Sequence, residues 1–327
     1  MTMTQPCHLH HLTVEGFDAL QLSNGLLSLT VIPALGGKIS SIQHLPSQYE
    51  WLWRNPHLPY LPPQYDASYV DLYDTGGLDE CFPGVTPGPC PVEPWTGTPI
   101  PDHGELWGQP WECEIIEETP HRLILRLTAH GVRFPYRFER TLTIEAGQPT
   151  VRLAYRLTNF APESLPFVWA IHPLLNLAPG MRLHLPVKEI RLAAATDPAV
   201  GQPGDIRPWP SAGTIDLSQV PPRSAGQAVK LYTLPLTETG PIETGLSDPA
   251  SGRSFTFRFN PAEITHIALW LNYGHWSPLA DTPPYYNLGF EPCIGGADTL
   301  AEAIARNEFG LAPARQSKTW QLDIDLL

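Results

Sequence analysis

Basic residues are scarce in this chain: 20 lysines and arginines stand against 33 aspartates and glutamates in 327 residues, a net charge of −13. That balance argues against nucleic acid or an anionic membrane as the main partner. The acidity is spread along the chain and not gathered in a tail, so it serves solubility. Cysteines are few as well. Cys7, Cys81, Cys90, Cys113 and Cys293 make an odd set with no C-x-x-C pair, which excludes a disulfide framework. No apolar run reaches the length of a transmembrane helix, and Met1–His11 lacks the apolar stretch of a signal peptide. A cytoplasmic location is expected. Helix signals are nearly absent too. Only Thr299-Leu300-Ala301-Glu302 has the form of a capping box, with Gly310 placed to end the helix.

Strand patterns fill the rest. Leu123, Leu125 and Leu127 alternate with Arg122, Ile124 and Arg126, and Val151, Leu153, Tyr155 and Leu157 alternate with Arg152 and Arg156. Phe255–Phe259 and Trp320–Leu326 repeat the pattern up to the C-terminus. Each run has one oily and one polar face, as an antiparallel sheet with one solvated side requires. The expected class is all-β: a large sandwich of stacked antiparallel sheets with one short C-terminal helix. One domain over residues 1–327 accommodates the length, with 1–11 as a flexible N-terminus. Cys7-His8-Leu9-His10-His11 in that terminus is adventitious as a metal site, because no second ligand cluster accompanies it. The 38 prolines far exceed the usual share of about 5%. They crowd into 56–110 and 198–222 among aromatic residues, which suits ordered loops wrapped on a scaffold.

Two strands break the simple alternation. Phe167–His172 is apolar on both faces, so it is central, and Pro173 follows it. In Thr265–Asn272, Ile267, Leu269 and Leu271 form a core face, while His266, Trp270 and Asn272 form an aromatic and polar one. That face suits an amphipathic small molecule such as a sugar. A third strand, Tyr285–Cys293, puts Tyr286, Leu288 and Phe290 on one face and Gly289 beside Glu291 on the other. Pro292 is expected to stop its ladder. A carboxylate over a glycine gap at a strand end is a candidate general base. His172 and His103 stand at a strand end and in a loop, where functional residues concentrate.

These residues carry a resemblance. Ile32-Pro33-Ala34-Leu35-Gly36-Gly37-Lys38-Ile39, His103-Gly104, Trp169-Ala170-Ile171-His172-Pro173 and Gly289-Phe290-Glu291-Pro292 occur in that order, followed by a closing run from Cys293 to Leu322. From about Leu22 onward the chain resembles the galactose mutarotase-like superfamily, the aldose 1-epimerases and their relatives. The resemblance implies a β-supersandwich with an open sugar-binding groove, working without cofactor or metal. It also implies roles: Glu291 as the base at the anomeric hydroxyl, His172 as the acid at the ring oxygen, and His103 as a ligand of a sugar oxygen. Asp79, Trp107, Trp169, Trp270, Asn272 and Lys38 are expected to line the groove, although Lys38 and Arg54 also suit solvated surface positions. The implied partner is a small-molecule carbohydrate, with no nucleic acid and no membrane, and the chain a monomer or homodimer.

The chemistry agrees with these residue types. Opening a hemiacetal ring needs one proton removed and one supplied. A carboxylate is ionised at pH 7, and a histidine beside a carboxylate is expected to be protonated. Activity would then fall at both pH extremes. Other readings are a sugar-binding protein without turnover, a hexose-phosphate epimerase-like member, and a metal site made of His103, His172 and Glu291. Some sugar-phosphate epimerases of the superfamily carry an arginine soon after the His-Gly pair; here Glu105-Leu106-Trp107 stands there, which argues against a phosphorylated substrate.

Overall fold

The period-two runs become two large antiparallel sheets in the computed structural model, which describes residues 5–327. The first, of twelve strands, runs in spatial order through His8–Val14, Phe17–Ser23, Leu27–Ile32, Lys38–His44, Leu78–Cys81 and Trp169–Asn176. It continues through Tyr286–Ile294, His266–Tyr273, Gln227–Thr233, Glu189–Ala195 and Ile206–Pro208, with Tyr49–Glu50 beside Lys38–His44. The second, of eight strands, runs Arg182–His184, Ile242–Asp248, Arg253–Phe259, Ser317–Leu326, Thr150–Asn159, Tyr136–Glu145, Arg122–His130 and Glu112–Glu118. The class is all-β, as expected. No helix among the described residues is long and apolar enough to cross a membrane.

The alternation decides which faces meet. In Tyr136–Glu145 every second side chain is buried, and the intervening arginine, glutamate and threonine side chains face outward. The middle strands of the first sheet are buried on both faces: Trp169–Leu175 and Asn287–Ile294 are closed off throughout. Between the sheets lies one apolar cluster with members from Cys7 to Leu326, in which Phe257 packs on Phe290 at 5.6 Å between ring centroids. The outermost strand of the second sheet, Glu112–Glu118, is largely exposed, and its Ile115 and Ile116 face solvent.

Several local expectations need correction. Of the N-terminal segment expected to be flexible, residues 1–4 lie outside the described residues, but His8–Val14 is a strand paired with Phe17–Ser23. Cys7 is buried and donates its N–H to the Pro120 carbonyl at 2.8 Å. The strands do not stop at Pro173 and Pro292; they run on to Asn176 and Ile294. The cost of the missing N–H groups is local. Pairing between these two strands lapses after Ala170↔Cys293 and resumes at Leu174↔Gly289. The helix spans Leu300–Ala305, and the Thr299 hydroxyl accepts the Glu302 N–H at 3.2 Å. It is closed by Asn307 in the left-handed region (φ 56°), not by Gly310, which opens the strand Gly310–Ala312.

One buried ion pair ties the sheets together. Arg140, from the second sheet, donates to Glu80, in the first, at 3.0 Å, and both are fully buried. Tyr155 Oη at 2.9 Å and Trp169 Nε1 at 2.8 Å complete the carboxylate's partners. Burial pushes the Glu80 carboxyl up, and Arg140 opposes this. Removing one member of such a pair strands the other charge. Arg140→Met is therefore expected to destabilise the protein by about 3–5 kcal/mol. Urea unfolding checks this, and a loss within about 1 kcal/mol would show that the pair matters little to stability.

Candidate active site

Sheet register assembles the site. His172 pairs with Asp79 across one ladder, Glu291 with Ala268 across another, and Ala268 with Tyr232 across the next. The pairs flanking the gap, Ala170↔Cys293 and Leu174↔Gly289, put His172 directly opposite Glu291. Five neighbouring strands thus present Asp79, His172, Glu291, Ala268 and Tyr232 in one row on one face. The gap left by Pro173 and Pro292 coincides with the His172–Glu291 position. His172 Nε2 lies 3.8 Å from Glu291 Oε1. Gly289 is required beside it: a Cβ there would come within 2.7 Å of Glu291 Oε1 and 3.1 Å of Trp270 Cβ.

Above the row is an open cleft of about 250 Å³, whose lining includes His103, His172, Glu291, Lys230, Trp270 and Asp298. Glu291 forms its floor and is fully buried. Lys230 Nζ donates to both its oxygens, at 3.0 and 2.8 Å, and lies 3.6 Å from Asp298 Oδ1. Lys230 stands opposite Trp270, in the row next to that of Glu291. The small side chain of Ala268 leaves room for its stem to cross. Asp298 is fixed by the Tyr232 hydroxyl at 2.6 Å. His103 Nδ1 is 2.8 Å from Asp102 Oδ1, and its ring stacks on Tyr69 at 4.1 Å and meets His172 edge-on at 5.2 Å.

Electrostatics set the protonation states. Burial pushes the His172 imidazole well below its usual value; His103 and then the Lys230 ammonium push the same way, and Asp79 opposes them. The expectation that a neighbouring carboxylate keeps His172 protonated is therefore corrected: Lys230, not His172, holds the charge of Glu291. Burial lowers the Lys230 pKa and Glu291 with Asp298 outweighs it, so the ammonium is retained. Burial alone would raise Asp102, yet His103 and the N–H groups of Tyr69 and Val70 hold it below the usual carboxylate range. Asp74, also in the cleft wall, is pushed up to about 6 by burial. With both Glu291 oxygens on an ammonium, the metal reading loses its carboxylate ligand.

Of the expected groove residues, Glu291, His172, His103 and Trp270 come together in the cleft. The others do not. Trp169 is fully buried on the opposite face of its strand, with Nε1 on Glu80; period-two alternation separates it from His172. Trp107 lies behind Tyr69, its Nε1 on the Asp102 carbonyl at 2.7 Å. Asp79 is buried and accepts from Lys38 and from the Tyr69 hydroxyl at 2.7 Å. Lys38 is accordingly not a solvated charge; it is buried and also donates to the Gly76 carbonyl at 2.8 Å. Asn272 uses its amide on the backbone of Trp276, at 2.9 and 3.1 Å, and so places that ring in the cleft wall. Lys230 escaped the sequence reading, although a lone lysine in Ala228-Val229-Lys230-Leu231-Tyr232, a buried apolar strand, was a visible signal.

Comparison with known proteins points one way. Residues 90–218 match the family model for aldose 1-epimerase. No curated protein matches the chain. A solved candidate aldose 1-epimerase from Klebsiella pneumoniae is 15% identical with a TM-score of 0.75, over 100% of this chain and 88% of that one. A galactose mutarotase-like protein from Clostridium acetobutylicum is 9% identical with a TM-score of 0.67, over 98% and 99%. The Slr1438 protein of Synechocystis is 17% identical with a TM-score of 0.66, over 100% and 98%.

Two outcomes follow from this geometry. At about pH 6.5, where a free imidazole is half protonated, His172 is expected to be neutral, and to charge only well below that pH. Side-chain ¹⁵N NMR checks this; a half-charged His172 at that pH would contradict the assignment. Trp169→Phe is expected to lower stability by about 1–3 kcal/mol, through the lost partner of Glu80, and to leave ligand binding unchanged by calorimetry.

Proposed function

We propose that this chain, which shares its fold with solved aldose 1-epimerase-like and galactose mutarotase-like proteins and matches the aldose 1-epimerase model over residues 90–218, is an isomerase interconverting the α and β anomers of a free aldose by general acid–base catalysis. The observation that carries this reading is the opposition of His172 and Glu291, 3.8 Å apart at the floor of a small open cleft. Glu291 takes the proton of the anomeric hydroxyl as the C1–O5 bond breaks. The Nε2–H of neutral His172 gives its proton to O5 and the imidazole ring takes back the proton held by Glu291, so the pair returns to its starting state and the product is the open-chain aldehyde. Rotation about C1–C2 presents the other carbonyl face. O5 then re-attacks C1 as the same relay runs in reverse, carrying the O5 proton through His172 and Glu291 to O1, so no proton is consumed. A neutral imidazole suits this step, because its N–H can serve a developing oxyanion. His103, braced by Asp102, binds a sugar oxygen, and Trp270 and Trp276 offer ring faces to the sugar's C–H bonds. Among the described residues, the only ammonium lining the cleft is already engaged by Glu291, and no arginine lines it. Both facts favour an unphosphorylated sugar.

Polarimetry of freshly dissolved α-glucose, α-galactose and other aldoses tests the proposal. The wild type is expected to accelerate anomerisation of at least one. Glu291→Gln and His172→Asn are each expected to lose about 10²-fold or more in kcat, and the double variant much less than the product of the two losses. Because His172 works in its neutral form and its pKa is lowered, kcat/KM is expected to rise with pH on the acid side and then stay level through neutrality. A fall as pH rises through about 6–7 would show that imidazolium is required. Binding of a sugar without any acceleration would favour a binding protein instead.

A further inference from the structure

We propose that Lys230 is the positioning residue of this site: by holding Glu291 through both oxygens it keeps that carboxylate from forming an ion pair with His172. The inference rests on the proposed function in treating Glu291 and His172 as an acid–base pair. The geometry behind it does not. Lys230 Nζ lies within hydrogen-bond reach of both Glu291 oxygens, at 3.0 and 2.8 Å, whereas His172 Nε2 lies outside it at 3.8 Å. A carboxylate within about 4–6 Å draws a histidine toward its charged form when no other cation engages that carboxylate. Here it is pre-empted from the next row of the sheet. A bidentate hold also stops rotation of the carboxylate, so the oxygen nearer His172 stays directed at it.

The surroundings leave Lys230 as the deciding charge. Facing His172 are His103 from the loop after Asp102, Asp79 on the neighbouring strand with Lys38 bound to it, Tyr69 edge-on, and Glu291 opposite. Asp79 is spent on Lys38 and the Tyr69 hydroxyl, and His103 is taken by Asp102. Facing Glu291 are Lys230, His172, and the thiols Cys81 and Cys293, which burial pushes well above the usual range. Asp298 shares Lys230 at 3.6 Å and is held by Tyr232; Asp74 stands in the far wall. Without the ammonium, Glu291 is a fully buried carboxylate whose nearest proton acceptor is His172. The pair then takes up a proton that the wild type refuses, and the working state is lost at higher pH.

The test is Lys230→Met, with Lys230→Gln, whose amide still donates to Glu291 and fills the site, and Lys230→Arg, which keeps the charge. Side-chain ¹⁵N NMR of His172 and ¹³C NMR of the Glu291 carboxyl follow the pair without needing turnover. In the Met and Gln variants the pair is expected to take up one proton with a midpoint higher by about 1–3 pH units, the shift typical of an opposite charge gained or lost at this range. The acid limb of kcat/KM moves up with it, and Lys230→Arg stays near wild type. An unmoved titration of both groups in folded Met or Gln variants overturns the assignment. So does failure of both variants to fold, since Lys230 would then serve the structure alone. If the titrations move as expected but the wild type anomerises no sugar, the functional reading fails and the role of Lys230 stands.

Discussion

Backbone pairing in the centre of the first sheet is the constraint on which the site depends. A strand cannot shift by one residue without turning its side chains to the other face. The strands carrying Asp79, His172, Glu291, Ala268 and Tyr232 are each locked on both sides by further strands. The row is therefore as rigid as the sheet. Within it, the two prolines relax one ladder over a few residues, and the relaxed stretch is where the acid–base pair sits. Rigidity around a local opening lets two buried titratable groups face each other across an open cleft without loosening the core below.

Charge is handled the same way on both faces of that sheet. Asp79 and Glu80 are sequence neighbours, so they point to opposite sides. Asp79 meets Lys38 above the sheet, and Glu80 meets Arg140 below it. Glu291 meets Lys230 on the upper face. Asp79, Glu80 and Glu291 are thus each matched by a cation drawn from a different strand. The match below is fully sealed, while the one holding Glu291 borders the cleft. The same chemistry is structural where it is sealed and available for reaction where it is open.

The sequence foretold what periodicity controls. The all-β class and the faces of the Glu291 and Trp270 strands follow from alternation, whereas the meeting of His103, His172 and Glu291 was what the family resemblance implied. It failed where a side chain's partner comes from a distant strand. Lys38 has the composition of a surface charge, and only Asp79, 41 residues away, makes it a core residue. Lys230 meets Glu291 across 61 positions, so its role depends on register that no local pattern encodes. Trp169 is the instructive error, since its parity with respect to His172 already placed it on the wrong face. The prolines misled for a different reason: a missing N–H ends an isolated ladder, but a strand paired on both sides outlasts one gap.

The outer strand Glu112–Glu118 bears on how the chain behaves among copies of itself. An exposed strand edge offers unpaired backbone groups to any similar edge. This one carries Glu112, Glu114, Glu117 and Glu118 around Ile115 and Ile116. Antiparallel self-pairing would bring glutamates of the two copies alongside one another, and like charges set opposite in a ladder repel. The apolar pair makes the edge adhesive, and the glutamates direct that adhesion away from its own kind. The folded chain is thereby guarded against stacking edge to edge with its copies.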